Sequence, residues 1–162
     1  MFLSASRILS TGRAREFTSG PMSTSGPLPP FSGAFAPSAE DFLAIAENAW
    51  AELPEAFRAM CGNVAILVED FAGEDTLRHF GMENPYELTG LYHGVDLTQK
   101  SLTHPENGPD HVFLYRLPIL LEWCERGDVT LRELIAHVLV HEIGHHFGLS
   151  DEDMHAIEDA AG

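Results

Sequence analysis

Five residues capable of metal ligation or proton transfer crowd into the stretch His141-Glu142-Ile143-Gly144-His145-His146-Phe147-Gly148-Leu149-Ser150-Asp151. The spacing is H-E-x-x-H followed by x-x-G-x-x-D. On a helix, residues four apart share a face, with Cβ atoms roughly 5–6 Å apart. His141 and His145 can therefore reach one tetrahedral zinc ion. Glu142, one position further round, stands beside such a metal rather than on it, where the general base for a zinc-activated water belongs. Gly148 tolerates positive φ, so it can end the helix and turn the chain back. Asp151 then faces the metal as a third ligand. A glutamate from a later helix is the other plan, and Glu152 and Glu158 are the acids available for it. Asp153 and His155 lie within the same reach, but Asp151 fits the glycine turn best. The competing account is a buried helix with incidental histidines. A glutamate and two histidines within one turn of an otherwise apolar helix weigh against it.

Positioning these groups requires a helix with a fixed start. Thr130-Leu131-Arg132-Glu133 reads as a capping box, and Leu131, Leu134, Ile135 and Val138 recur at helical spacing up to His141. This predicts a helix over about 130–147. Ser150-Asp151-Glu152-Asp153 is a further N-cap pattern, opening a short last helix that carries Met154 and Ile157 inward. Asp151 would lie in its first turn, where a carboxylate is electrostatically favoured.

Upstream, Ser38-Ala39-Glu40-Asp41 caps a helix marked by Phe42, Ile45, Ala46, Ala49 and Trp50, with a second short helical piece after Pro54 running to about Met60. Val64 to Val68 is an unbroken aliphatic run and reads as a buried strand. Residues 71–109 read as mostly loop, with one strand around Leu91-Tyr92-His93. His111 to Arg116 reads as a strand and Pro118 to about Glu125 as a helix. Residues 1–37 are rich in Ser, Gly and Pro. Arg7, Arg13 and Arg15 give them a faint likeness to an organelle transit peptide, though a true translation start at Met22 is the simpler account. The segment is expected to be a disordered tail, leaving 38–162 as a single domain.

The chain has 162 residues, 9 Lys and Arg against 25 Asp and Glu, and a net charge of −16. That balance argues against nucleic acid and against an anionic membrane surface. No apolar run is long enough to span a bilayer. Cys61 and Cys124 sit in no metal or redox pairing motif, so free thiols in a cytoplasmic protein are expected.

His141 to Met154, with Leu88-Thr89-Gly90-Leu91-Tyr92-His93-Gly94-Val95 and Asn63 to Asp70, resembles the small bacterial zincin-like metallopeptidases. The likeness covers about residues 39–156. The motif is also similar to that of metzincin-type peptidases with an aspartate as third ligand. The resemblance implies an α+β fold, a minimal zincin in which a small mixed β-sheet carries the active-site helix across it. It implies Zn²⁺ held by His141, His145 and Asp151, with Glu142 catalytic. The expected function is a zinc-dependent metallopeptidase, a hydrolase acting on a peptide or protein substrate laid along an edge strand such as 111–116. A monomer is expected. Two other readings stay open: a non-catalytic zinc-binding module, and a zinc hydrolase of another amide or ester. His137 shares the face of His141 and reads as a partly buried histidine more than a substrate contact. His146 reads as a surface residue or as helix packing, His155 as a surface residue or a partner of Asp151, and Tyr92 and Tyr115 as core aromatics with hydroxyls able to donate. His79, His93, His104 and His111 lack ligand spacing.

Overall fold

The computed structural model describes residues 32–94 and 110–161. Its elements are α1 (Ala39–Glu52), α2 (Glu55–Cys61), β1 (Val64–Glu69), α3 (Glu74–His79), a 3-10 turn at Pro85–Glu87, β2 (Gly90–His93), β3 (Asp110–Tyr115), α4 (Arg116–Arg126), α5 (Leu131–His146) and α6 (Asp151–Ala161). The architecture is α+β, as expected.

Three helices start on one device. Ser38, Thr130 and Ser150 each accept the backbone N–H three residues on, at 3.2 Å. The acids Asp41, Glu133 and Asp153 each reach back to the cap's own N–H, at 2.8, 2.7 and 3.1 Å. Each such cap stabilises its helix by about 1 kcal/mol and sets where it begins. For α5 and α6 it therefore sets which residues face the seam between them.

The sheet has the order β1-β3-β2. β1 runs parallel to β3, with Val64 opposite Asp110 and Glu69 opposite Tyr115. β2 runs antiparallel to β3, with Gly90 opposite Leu114 and His93 opposite His111. Two expectations change here. β3 is paired on both sides, so it has no free edge for a peptide; among the described residues the outer edges belong to β1 and β2. β1 is also not a buried strand. None of its six residues is buried, and Leu67 is 39% exposed. An aliphatic run looks the same in a central strand and in an edge strand covered on one face only, here by α1.

The stretch expected to be mostly loop holds α3, whose six residues bury no side chain and whose N-cap Gly73 makes no side-chain bond. Without an apolar stripe or a capping residue it leaves no periodic trace.

α5 is the centre of the core. Leu131, Leu134, Ile135, Val138, Leu139, Val140, Ile143 and Gly144 are all buried, on more than one face of the helix. It packs against α1, α4, α6, β2 and β3. Phe42, Ala46, Ala49, Leu53, Val112, Leu114, Ile119 and Met154 close the same core. Cys61 is buried, Cys124 is exposed, and both are free. No helix among the described residues is long and apolar enough to cross a membrane. The sequence reading of residues 1–31 lies outside the described residues.

Candidate metal centre

The C-terminal part of α5 carries His141 and His145, and the chain then reverses on three backbone hydrogen bonds. Phe147 N–H donates to Ile143 O at 3.2 Å, Gly148 N–H to His145 O at 3.2 Å, and Leu149 N–H to Gly144 O at 2.9 Å. The last two make a Schellman turn, which needs a left-handed residue at Gly148, where φ is +71°. Ser150 then caps α6 and places Asp151 in its first turn. A second glycine allows α6 to lie close. A Cβ on Gly144 would stand 2.4 Å from Met154 Sδ, and Met154 is completely buried.

The structure brings the three candidate ligands together. Ligand atoms of His141, His145 and Asp151 lie within 4.8 Å of one another, with His145 and Asp151 exposed. Tetrahedral zinc with bonds near 2.05 Å holds its ligand atoms roughly 3.3 Å apart, so small side-chain adjustments close the group on one ion. The donors also suit a cation. His141 Nε2 is buried with no hydrogen-bond partner. Burial, then the neighbouring His137 and His145, push its imidazole down to about 4. At neutral pH it is an uncharged ring with a lone pair and no partner, the state a metal requires.

Glu142 sits beside this group on the β2 side. In an antiparallel ladder, hydrogen-bonded pairs alternate. Tyr115 N–H donates to Thr89 O at 2.9 Å, so in this register Leu91 and His93 bond to β3 while Gly90 and Tyr92 turn their backbone groups to the outer edge. The Glu142 carboxylate accepts the Tyr92 backbone N–H. Gly90 makes the approach possible: a Cβ there would meet Val138 Cγ1 at 2.8 Å and Glu142 Cγ at 2.9 Å. Burial pushes the Glu142 carboxyl up to about 7, with the Tyr92 hydrogen bond opposing. A carboxyl near neutrality can both take and return a proton. Tyr115, 2% exposed, is raised to about 12 by burial and then by the charges of Glu69 and Glu142.

The family model of zincin-like metallopeptidases matches residues 61–161. The chain belongs to that family. No curated protein matches the chain. The zincin-like match starts at Cys61, so α1, which packs on α5, lies before it.

Within this zincin-like frame the remaining polar residues find their places. His137 is partly buried, and its Nδ1 lies 2.9 Å from Glu158 Oε1. His155 pairs with the backbone rather than the carboxylate of Asp151, its Nδ1 donating to Asp151 O at 2.7 Å. His146 packs against β2, its ring 4.2 Å from that of Tyr92. Tyr92 is no ready hydroxyl donor to a substrate, because its O–H donates to Asp110 Oδ2 at 2.8 Å. Burial and Asp110 also raise its ionisation well above the ordinary tyrosine value. His104 lies outside the described residues. The motif does not reveal the Tyr92 N–H, but one trace was present. Gly90 inside a strand pattern marks a close backbone approach.

Proposed function

We propose that the protein is a zinc-dependent peptidase in which His141, His145 and Asp151 hold the metal and Glu142 is the general base. The observation that carries this reading is the placement of Glu142. It is a largely buried carboxylate, held by an edge-strand N–H beside two metal-competent histidines, with its proton affinity raised to about 7. A site serving only structure has no use for a base there and favours a closed set of four protein ligands. Bound zinc supplies a Lewis acid that polarises the scissile carbonyl.

The chain's own residues do the rest. Glu142 takes the proton of the attacking water and returns it to the departing amine, two transfers that a carboxyl near neutrality performs in turn. The Tyr92 N–H keeps that carboxylate aimed while leaving its other lone pairs free for the proton. β2 is the strand beside which a substrate would lie, since its outer edge has no strand partner among the described residues and it adjoins Glu142. With the Tyr92 N–H held by Glu142, the substrate would take its backbone bonds at Gly90. An extended peptide or protein segment is therefore the proposed substrate class. The free thiols and the acidic surface suit a cytoplasmic monomer without nucleic-acid or membrane partners.

The deciding experiment compares metal content and cleavage of a mixed peptide library for the wild type and Glu142→Gln. One zinc in each, with cleavage by the wild type alone, is the expected result. Zinc in both and cleavage by neither would shift the reading to a metal-binding module or to an amide or ester hydrolase. Absence of metal from both would remove the proposal at its base.

A further inference from the structure

The seam between α5 and α6 holds more ligands than one metal uses. His137, His141 and His145 follow at four-residue intervals on α5, and Asp151 and Glu158 lie seven apart on α6. The side chains meet in an antiparallel ladder: His145 with Asp151 at one end, His137 with Glu158 at the other, His141 between. Ligand atoms of His137, His141 and Glu158 also lie within 4.8 Å of one another. His141 Nε2, the buried atom without a hydrogen-bond partner, stands 3.8 Å from Glu158 Oε1. The rings of His137 and His141 are 4.0 Å apart, centre to centre.

We propose that His137, His141 and Glu158 form a second divalent-cation position, which competes with the His141–His145–Asp151 position for the shared imidazole of His141. This rests on the reading of the latter as the primary metal position. Two imidazoles and a carboxylate are the donor set zinc or cobalt accepts with one coordination site left for solvent. The position has an approach of its own. A cavity of about 420 Å³, lined by Ala49, Leu53, Val129 and Arg132 among others, reaches His137 and Glu158. An ion can therefore arrive at this end of the seam without crossing the β2 edge where substrate would lie. The hydrogen bond between His137 and Glu158 holds their side chains together in the absence of metal, so little reorganisation is needed to close on an ion. An ion seated there withdraws His141 from the primary set, so the seam holds one ion at a time.

The test titrates the metal-stripped, full-length chain with Co²⁺, following visible absorption and native mass. The wild type is expected to bind one ion. H145A/D151N, stripped of the primary partners, is expected to bind one ion at least tenfold more weakly, and adding E158Q should weaken it at least tenfold again. If the wild type binds one ion and H145A/D151N binds none, the second position is refuted while the proposed function stands. An undiminished affinity on adding E158Q refutes it too, and tight uptake of two ions by the wild type refutes the sharing of His141. A wild type that binds no ion removes both readings. Should H145A/D151N fail to fold, the milder D151N background decides. E158Q should cost at least fivefold in affinity there and less than twofold in the wild type, and equal effects in the two backgrounds would overturn the proposal.

Discussion

Replacing Glu142 by Gln should stabilise the metal-free protein, and only above mildly acidic pH. The carboxyl is raised from its ordinary 4.5 to about 7 in the folded chain, because burial penalises its charged form. Below pH 4.5 it is protonated in the folded and unfolded states alike and contributes nothing. As pH rises, the unfolded chain ionises first, and above 7 the folded chain must bury the charge. That gap of roughly 2.5 pH units, at about 1.4 kcal/mol each, costs the fold about 3 kcal/mol. Gln is neutral throughout and can still accept the Tyr92 N–H. The stability difference between Glu142→Gln and wild type should therefore grow from near zero at pH 4.5 to about 3 kcal/mol at pH 8. His141 acts in the opposite sense. Its folded value is depressed from 6.5 to about 4, so its contribution is present above 6.5 and lost as pH falls towards 4. It is common to both proteins and largely cancels in the difference. Urea unfolding in chelator, at pH intervals between 4.5 and 8, measures the quantity directly. A difference that does not vary with pH, or that stays below about 1 kcal/mol at pH 8, would refute the assignment of Glu142 as a buried carboxyl poised near neutrality. Saturating zinc should shrink the difference, since a nearby cation favours the carboxylate.

Three further outcomes are expected. Gly90→Ala should cost about 1–3 kcal/mol in stability by overpacking against Val138 and Glu142, and should lower kcat through the displaced base, as unfolding and peptide kinetics would show. Gly144→Ala should loosen α6 and weaken zinc binding by about tenfold, and the Gly144→Ala, Met154→Ala pair should recover part of that in a metal-competition assay, because the added Cβ then meets no sulfur. Removing zinc from a protein held at a hundredfold excess over its Kd should lower Tm by roughly 10 °C, since such binding is worth about 2.7 kcal/mol. An unchanged melting curve after verified metal removal would contradict this.

The sequence made the site legible because helical periodicity is local. His141, Glu142 and His145 share their relation through one turn of α5, and the capping residues Thr130 and Ser150 lie beside the helices they start. Gly148 announced the reversal that brings in Asp151. What stayed hidden depends on pairing across distance. Strand order set β3 rather than β2 at the centre, and nothing in the run Val64 to Val68 distinguishes an edge strand from an inner one. The bond between Glu142 and the Tyr92 N–H follows from register, which no local pattern encodes. The partnership of His137 with Glu158 spans 21 residues and emerges only when α6 folds back along α5. α3 was missed for a different reason: none of its side chains is fully buried and Leu77 alone packs on the core, so it leaves no apolar period.

The Glu142 carboxylate on Tyr92 also bears on what this molecule does among its own kind. β2 is four residues long, and one of its two outward-facing residues has its N–H bonded to an acid of the same chain. A short substrate segment can bond at Gly90 alone, but a strand from another copy cannot run an uninterrupted ladder past Tyr92 without uncovering a buried charge. Inward-pointing charges and short lengths are how sheet proteins keep their edges from templating fibres. In this chain the residue proposed to move the proton is thus also a guard on the open edge, so variants that silence it deserve to be watched for self-association as well as for lost cleavage.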